Sequence, residues 1–233
     1  MKENIFRCFG IAKEDVSSIL SPLLEKTSGV FLDVSGNSLM VDIKLKADDS
    51  NFYIYEFTRL IYENLDQYIY SESEMSLEEV AFQLLKINKL KIATAEDLTA
   101  GQIICNLIKT CEFSSDIVVE GIVPVSAFSK TTKLNISKNE LEQSLNPNVQ
   151  IAKNMALSLL NSSIADIVIS TTGDFSQNQT TTPVFIAIGT RERVDVYKNL
   201  LNGSKREIIE TTANLALFYL IKKLRNSNTY LEN

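Results

Sequence analysis

The chain has 233 residues, of which 45% are hydrophobic, and its 23 basic and 29 acidic residues give a formal net charge of −6. It contains no histidine, which excludes Ser-His-Asp and Cys-His catalysis and zinc sites that need histidine ligands. No run approaches the roughly 18 uncharged apolar residues that cross a membrane, and the first residues lack the apolar core of a signal peptide, so we expect a soluble cytoplasmic protein with no membrane partner.

The acidic excess lies entirely in the first third of the chain. Residues 1–75 hold 7 Lys and Arg against 13 Asp and Glu, whereas residues 76–233 hold 16 of each. Electrostatic binding of nucleic acid needs clustered positive charge, so we expect no nucleic-acid partner. The three cysteines are scattered without metal-ligand spacing, and we expect neither a metal nor a cofactor.

Residues 1–72 carry the patterns of a small α+β domain. An apolar stretch, a helical segment, two strands and a second helix are predicted in turn at Phe6–Gly10, Val16–Leu24, Val30–Val34, Leu39–Leu45 and Phe52–Leu65. Ser35-Gly-Asn-Ser38 predicts a hairpin turn between the two strands. The polar, acidic stretch 71–75 marks a domain boundary, and Ser76-Leu-Glu-Glu79 is a capping box that opens a helix.

Residues 76–233 alternate strands and helices, which predicts a three-layer α/β/α domain. The predicted strands are Ile92–Thr94, Ile117–Val125, Ile167–Thr171, Val184–Gly189 and Val194–Tyr197. Helical spacing follows the first of these, recurs over Val149–Leu160, and begins again at the capping box Ser204-Lys-Arg-Glu207.

The segment Thr94-Ala-Glu-Asp-Leu-Thr-Ala-Gly101 reads as a strand that enters a polar turn and opens a helix, a junction where α/β proteins gather ligand-binding groups. It resembles T-A-E-S-C-T-G-G, a signature of the CinA (competence/damage-inducible) family. Thr94, Glu96, Thr99 and Gly101 match, whereas Asp97 stands at the position of the family's serine nucleophile.

Three further segments extend the resemblance. Gly121-Ile-Val-Pro-Val-Ser-Ala-Phe-Ser-Lys130 resembles G-x-V-T-Y-S-N-x-x-K and retains Ser126 and Lys130, but the tyrosine has become Val125. Of a glycine-rich T-G-I-A-G-P-G-G loop only Thr172-Gly173 is left, followed by 174–179 without glycine. Arg206 matches an arginine at the start of the family's last helix.

The resemblance implies a KH-like domain at 1–72 followed by the CinA C-terminal domain at 76–233. Full-length members carry a molybdopterin-binding-like domain before these two. In active members the C-terminal domain is a nicotinamide-nucleotide amidohydrolase, which converts nicotinamide mononucleotide (NMN) to nicotinic acid mononucleotide and ammonia. The resemblance also implies a nucleotide-like small-molecule ligand and a homo-oligomer, a dimer at least.

The resemblance places the catalytic positions at Asp97 and Lys130. It places the ligand pocket at Thr94, Glu96, Thr99, Gly101, Ser126, Thr172, Gly173 and Arg206. Amide hydrolysis through a covalent intermediate needs an activated hydroxyl or thiol, and a carboxylate at residue 97 cannot replace it. We therefore predict a protein that is inactive in the family reaction and binds a ligand or partner. A divergent amidohydrolase that uses Ser126 with Lys130, or Thr99, is the alternative.

Several of these residues have a structural interpretation as well. Asp97 is either a helix N-cap or the partner of Lys130 in an ion pair across the pocket. Thr99 is either a replacement nucleophile or a capping and packing group, and Arg206 either binds a phosphate or is solvated. RNA-binding KH domains need a GXXG loop between helices, whereas Gly36-Asn37 falls in the predicted hairpin, so RNA binding is not expected.

Overall fold

The computed structural model describes residues 2–25, 27–110, 114–143, 148–175 and 181–229. Contacts divide the chain into two compact units, Met1–Val80 and Ala81–Asn233. The predicted fold class, a small α+β unit followed by a three-layer α/β/α unit, is confirmed. The boundary lies within a helix that runs from Leu77 to Ile87.

The first unit is a four-stranded antiparallel sheet with two helices on one face. Its elements are β1 (Lys2–Phe9), α1 (Lys13–Leu24), β2 (Val30–Gly36), β3 (Met40–Ala47), α2 (Tyr53–Leu65) and β4 (Ile69–Ser71). The strand order β2-β3-β1-β4 gives a split βαβ arrangement. The alternate strand residues Phe6, Val41 and Ile43 are buried with Leu20 and Phe57 of the helices, as the period-two pattern of β3 predicts.

The hairpin between β2 and β3 forms where the sequence predicts it. Gly36 has a φ of +127°, which a side chain rarely adopts. The Asn37 carboxamide oxygen accepts hydrogen bonds from the N–H groups of Leu39 and Met40, so it closes the turn. Gly36 and Asn37 therefore shape a hairpin and not a GXXG loop between helices.

The second unit is a five-stranded mixed sheet between two helical layers. Its elements are α3 (Leu77–Ile87), β5 (Ile92–Glu96), α4 (Gln102–Lys109), β6 (Val118–Ile122), α5 (Ala127–Leu134), α6 (Lys138–Gln143), α7 (Val149–Ser162), β7 (Ile167–Gly173), β8 (Thr182–Thr190), β9 (Val194–Leu201) and α8 (Lys205–Thr229). The order is β6-β5-β7-β8-β9. Strand β5 lies parallel to both of its neighbours, and β8 and β9 complete an antiparallel meander.

Successive side chains along each strand point to opposite faces of the sheet, so they contact different helical layers. Ala93 and Ala95 pack against α7, for example against Met155. On the other face α4 and α8 contact each other and the sheet, and Ile208 of α8 packs with Val184. The parallel pairing brings residues 97–101, 123–126 and 172–175 together at the carboxyl ends of β5, β6 and β7.

Two predicted strand ends are wrong, because β9 continues past Tyr197 to Leu201 and β6 is shorter than predicted. The apolar run Ile117–Val125 predicted a strand to residue 125, but β6 ends at Ile122. Pro124 has no N–H to donate to a ladder, and Ser126 is already the N-cap of α5.

Candidate functional site

The junction between β5 and α4 is organised by a buried carboxylate. The Glu96 side chain has no exposed area. Its Oε1 accepts hydrogen bonds from the Thr94 hydroxyl at 2.9 Å and the Ile104 N–H at 2.8 Å. Its Oε2 accepts from the Thr99 hydroxyl at 2.7 Å and the Ile103 N–H at 2.9 Å. Glu96 therefore binds two of the N–H groups that a helix leaves unsatisfied at its start.

Thr99 belongs to this buried network. Its side chain is 1% exposed, and its hydroxyl lies 2.7 Å from Glu96 and 2.8 Å from the hydroxyl of Thr171 on β7. A hydroxyl held between two buried partners is not presented to a substrate. This geometry agrees with the packing interpretation of Thr99.

Asp97 lies on the opposite side of the strand end and forms an ion pair. Its Oδ2 is 2.7 Å from the Lys130 ammonium and accepts a hydrogen bond from the Thr172 hydroxyl at 2.8 Å. The side chains of Asp97 and Lys130 are 13% and 15% exposed. Because Glu96 binds the first N–H groups of α4, the N-cap interpretation of Asp97 is wrong, and the ion pair is the arrangement present.

The hydroxyl of Ser126 is not hydrogen-bonded to the Lys130 amine, the contact that a catalytic Ser–Lys dyad requires. Ser126 is the N-cap of α5, in extended backbone conformation, and its exposed hydroxyl accepts from the Ser129 N–H at 3.1 Å. Lys130 lies one turn further along α5 and donates its backbone N–H to the Ser126 carbonyl. Its ammonium is directed to Asp97.

The retained glycines of two motifs allow close packing. A Cβ added to Gly173 would lie 2.2 Å from Leu98 Cδ1, and one added to Gly121 would lie 2.2 Å from Ile104 Cδ1. Gly101 is the N-cap of α4 with a φ of +86°, a region that favours glycine. These glycines are accounted for by the fold itself.

Arg206 is exposed at the second residue of α8. The predicted capping box opens this helix, since the Ser204 N–H donates to Glu207 at 2.7 Å and the Glu207 N–H donates to the Ser204 hydroxyl at 3.3 Å. The next turn reaches the site, because Ile208 packs against Leu98.

The loop that follows β6 and the first turn of α5 expose apolar side chains. Val123, Val125 and Phe128 are 42%, 71% and 76% exposed. Val125 stands where the resemblance expects a tyrosine, so the polar group of that motif position is absent. Residues 176–180, which continue the third motif, lie outside the described residues.

The sequence analysis missed two contributors to the site, Thr171 and Leu98. Thr171 bonds the Thr99 hydroxyl and accepts the N–H of Asp97 through its carbonyl. The polar run Ser170-Thr-Thr172 within an otherwise apolar strand is the signal that points to it. Within the described ranges, no group of three or more Cys, Asp or Glu side chains is placed to hold a metal ion, and no helix there is both long and apolar enough to cross a membrane.

Comparison with known proteins finds a family model that covers mainly the second unit and relatives that align with nearly the whole chain. A model of the CinA C-terminal domain matches residues 74–224. A competence-damage inducible protein of Caldicellulosiruptor saccharolyticus is 28% identical over 232 residues, which is 95% of this chain and 56% of that protein. One from Clostridium botulinum (strain Loch Maree) is 29% identical over 234 residues, 96% of this chain and 57% of that protein. The chain thus spans little more than half the length of these relatives.

Solved structures share the fold. A CinA-superfamily protein from Klebsiella pneumoniae aligns with a TM-score of 0.58 at 18% identity, over 65% of this chain and 99% of that one. A competence/damage-inducible protein from Agrobacterium tumefaciens aligns with a TM-score of 0.56 at 23% identity, over 66% and 99%.

Proposed function

This chain belongs to the CinA family, and within that family we propose that it has lost the amidohydrolase reaction and acts by binding a nucleotide-like small molecule or a protein partner. The observation that carries the proposal is the side chain at the nucleophile position. Asp97 is a carboxylate, and its Oδ2 is occupied by the Lys130 ammonium at 2.7 Å and by the Thr172 hydroxyl at 2.8 Å.

Two physical arguments follow from this pair. A carboxylate that attacks an amide would form an anhydride, which is a poor intermediate for hydrolysis. The Lys130 ammonium also lies 2.7 Å from the Asp97 carboxylate, so it is directed to that carboxylate and not to a hydroxyl that it could activate. Lys130 and Asp97 therefore neutralise each other where active members would activate a serine.

The experiment is release of ammonia from NMN. We expect no release above background from the natural protein. Turnover that is abolished by Asp97→Ala or Lys130→Ala, but kept by Lys133→Ala on the exposed side of the same helix, would refute the proposal. Calorimetric titration of the natural protein and Lys130→Ala with NMN then tests whether the ligand is bound without being hydrolysed.

The divergent amidohydrolase is the alternative, and one observation favours it. The Ser126 hydroxyl is exposed one turn before Lys130 at the edge of the site. Its role as an N-cap and the burial of Thr99 speak against it. Labelling of the natural protein by an acylating amide-type probe, with loss of the label in Ser126→Ala, would establish the alternative. It would overturn the proposal that the protein has lost amidohydrolase activity.

We also propose a homo-oligomer, a dimer at least, because the resemblance implies one. Light scattering at micromolar concentration measures the mass directly. A 26.1 kDa particle under those conditions contradicts this part of the proposal.

A further inference from the structure

A cavity lies at the amino ends of β5 and β6, away from Asp97. It has a volume of about 360 Å³ and an apolar lining formed by Phe82, Leu90 and Ile117. The Ile92 N–H donates to the Ile117 carbonyl at 2.8 Å, which fixes this wall at the beginning of the parallel strands. Residues 92–96 of β5 separate the cavity from Asp97 by about 16 Å at the rise of a strand.

The rim of this cavity is positively charged. Lys86, Lys89 and Lys91 contribute to it, together with the single carboxylate of Asp116. All four are exposed, and among the described residues none of the three ammonium groups forms an ion pair. A local charge of +2 is thus concentrated on a chain whose formal charge is −6.

Lys89 occupies a backbone position that ordinarily favours glycine. The end of α3 is a Schellman motif, since the Leu90 N–H donates to the Leu85 carbonyl at 2.9 Å and the Lys89 N–H to the Lys86 carbonyl at 3.1 Å. Lys89 is the left-handed residue of this motif, with a φ of +55°. Residue 89 is a lysine although glycine would form the turn with less strain.

We propose that this cavity binds a small amphiphilic carboxylate. Small-molecule sites combine an apolar lining with a few convergent polar groups in volumes from about 300 Å³ upward. The hydrocarbon part would lie against Phe82, Leu90 and Ile117, and its carboxylate would meet the three ammonium groups. Asp116 directs the charged end toward the lysines by repulsion.

Compensation of the dipole at the carboxyl end of α3 accounts for only part of this arrangement. Lys86 lies in the last turn of the helix, where a cation is favourable. Lys91 lies beyond the helix, with its backbone fixed by Asp166 through the Lys91 N–H at 2.8 Å. Its side chain therefore has no role at the helix end, yet it converges on the same rim.

Calorimetry with octanoate, octanol and octylamine tests the proposal on the full chain. We expect saturable binding of octanoate, clearly weaker binding of octanol, and none of octylamine. Replacing Lys86, Lys89 and Lys91 singly by Gln should each weaken octanoate about two- to fivefold. Lys109→Gln and Lys133→Gln, on other exposed helix surfaces, should have no effect, and Asp116→Asn should strengthen binding.

Two outcomes with the natural protein overturn the proposal. One is no saturable binding of octanoate, and the other is octanol binding as tightly as octanoate. Lys89→Gly separates a structural role from a binding role. It should raise the thermal midpoint by relieving backbone strain and at the same time weaken the binding of octanoate. A lower midpoint with unchanged octanoate affinity also contradicts the assignment. Ammonia release from NMN is a separate measurement, so failure here leaves the proposed function untouched.

Discussion

Replacing Glu96 by Gln should destabilise the second unit although the shape of the side chain barely changes. The carboxylate accepts four hydrogen bonds, two at each oxygen. A carboxamide keeps one acceptor oxygen and presents an NH₂ group in place of the other. The hydroxyl facing that NH₂, of Thr94 or Thr99, can rotate and accept a hydrogen bond from it. The backbone N–H facing it, of Ile103 or Ile104, cannot.

The structure sets the size of the effect. One buried N–H left opposite a donor costs about 1–3 kcal/mol, and loss of a negative charge at the start of a helix costs about 0.3–1 kcal/mol. We expect a loss of about 1–4 kcal/mol in the free energy of unfolding of this unit. Glu120→Gln, on the exposed surface of β6, should change it by less than about 0.5 kcal/mol.

Urea unfolding followed by circular dichroism measures the loss, and amide hydrogen exchange locates it. The amides of Ile103 and Ile104 should exchange faster in Glu96→Gln than in the natural protein. A loss below about 1 kcal/mol, with unchanged exchange at these two amides, would refute the argument that a charged Glu96 holds the start of α4.

Three further predictions concern single contacts. Ala100 is exposed with a φ of +52°, so Ala100→Gly should raise the free energy of unfolding by about 0.5–1 kcal/mol, and a decrease contradicts this. Gly173→Ala should lower the free energy of unfolding by about 1–3 kcal/mol because the added methyl group displaces Leu98. An unaltered thermal midpoint contradicts this. Burial alone would raise the pKa of Asp195, but its hydrogen bond and charge interaction with Lys223, helped by Arg193, hold that pKa below its usual value. The stabilisation is present above the unfolded value of about 4 and is lost as the pH falls through the folded value, so Lys223→Met should cost more at pH 7 than at pH 3, and equal losses contradict the assignment.

Local signals in the sequence predict much of the fold. Capping boxes and hairpin turns depend on residues a few positions apart, and Ser76 and Glu79 form the predicted reciprocal bonds at 2.7 and 3.4 Å. The predicted end of β6 is wrong for an equally local reason. The apolar residues up to Val125 continue the strand pattern, while Pro124 ends the hydrogen-bonded ladder.

The site depends on contacts that a linear pattern does not contain. The motif resemblance suggests that Asp97 and Lys130 meet, because residues 97 and 130 follow adjacent parallel strands. The role of Glu96 could not be predicted, since two of its partners are the backbone N–H groups of Ile103 and Ile104. An apolar side chain in the sequence gives no indication that its main chain binds a carboxylate.

Glu96 and Asp97 at the end of β5 face opposite helical layers. The side chain at residue 97 can therefore differ without disturbing the contacts of Glu96. Glu96 binds the start of α4, while the Asp97 side chain is directed to α5, where its partners among the described residues are Lys130 and Thr172. A substitution at residue 97 therefore leaves the start of α4 intact. Under the proposed function, the residue at the nucleophile position can therefore change without loss of the hydrogen bonds that hold the fold together at this end of β5.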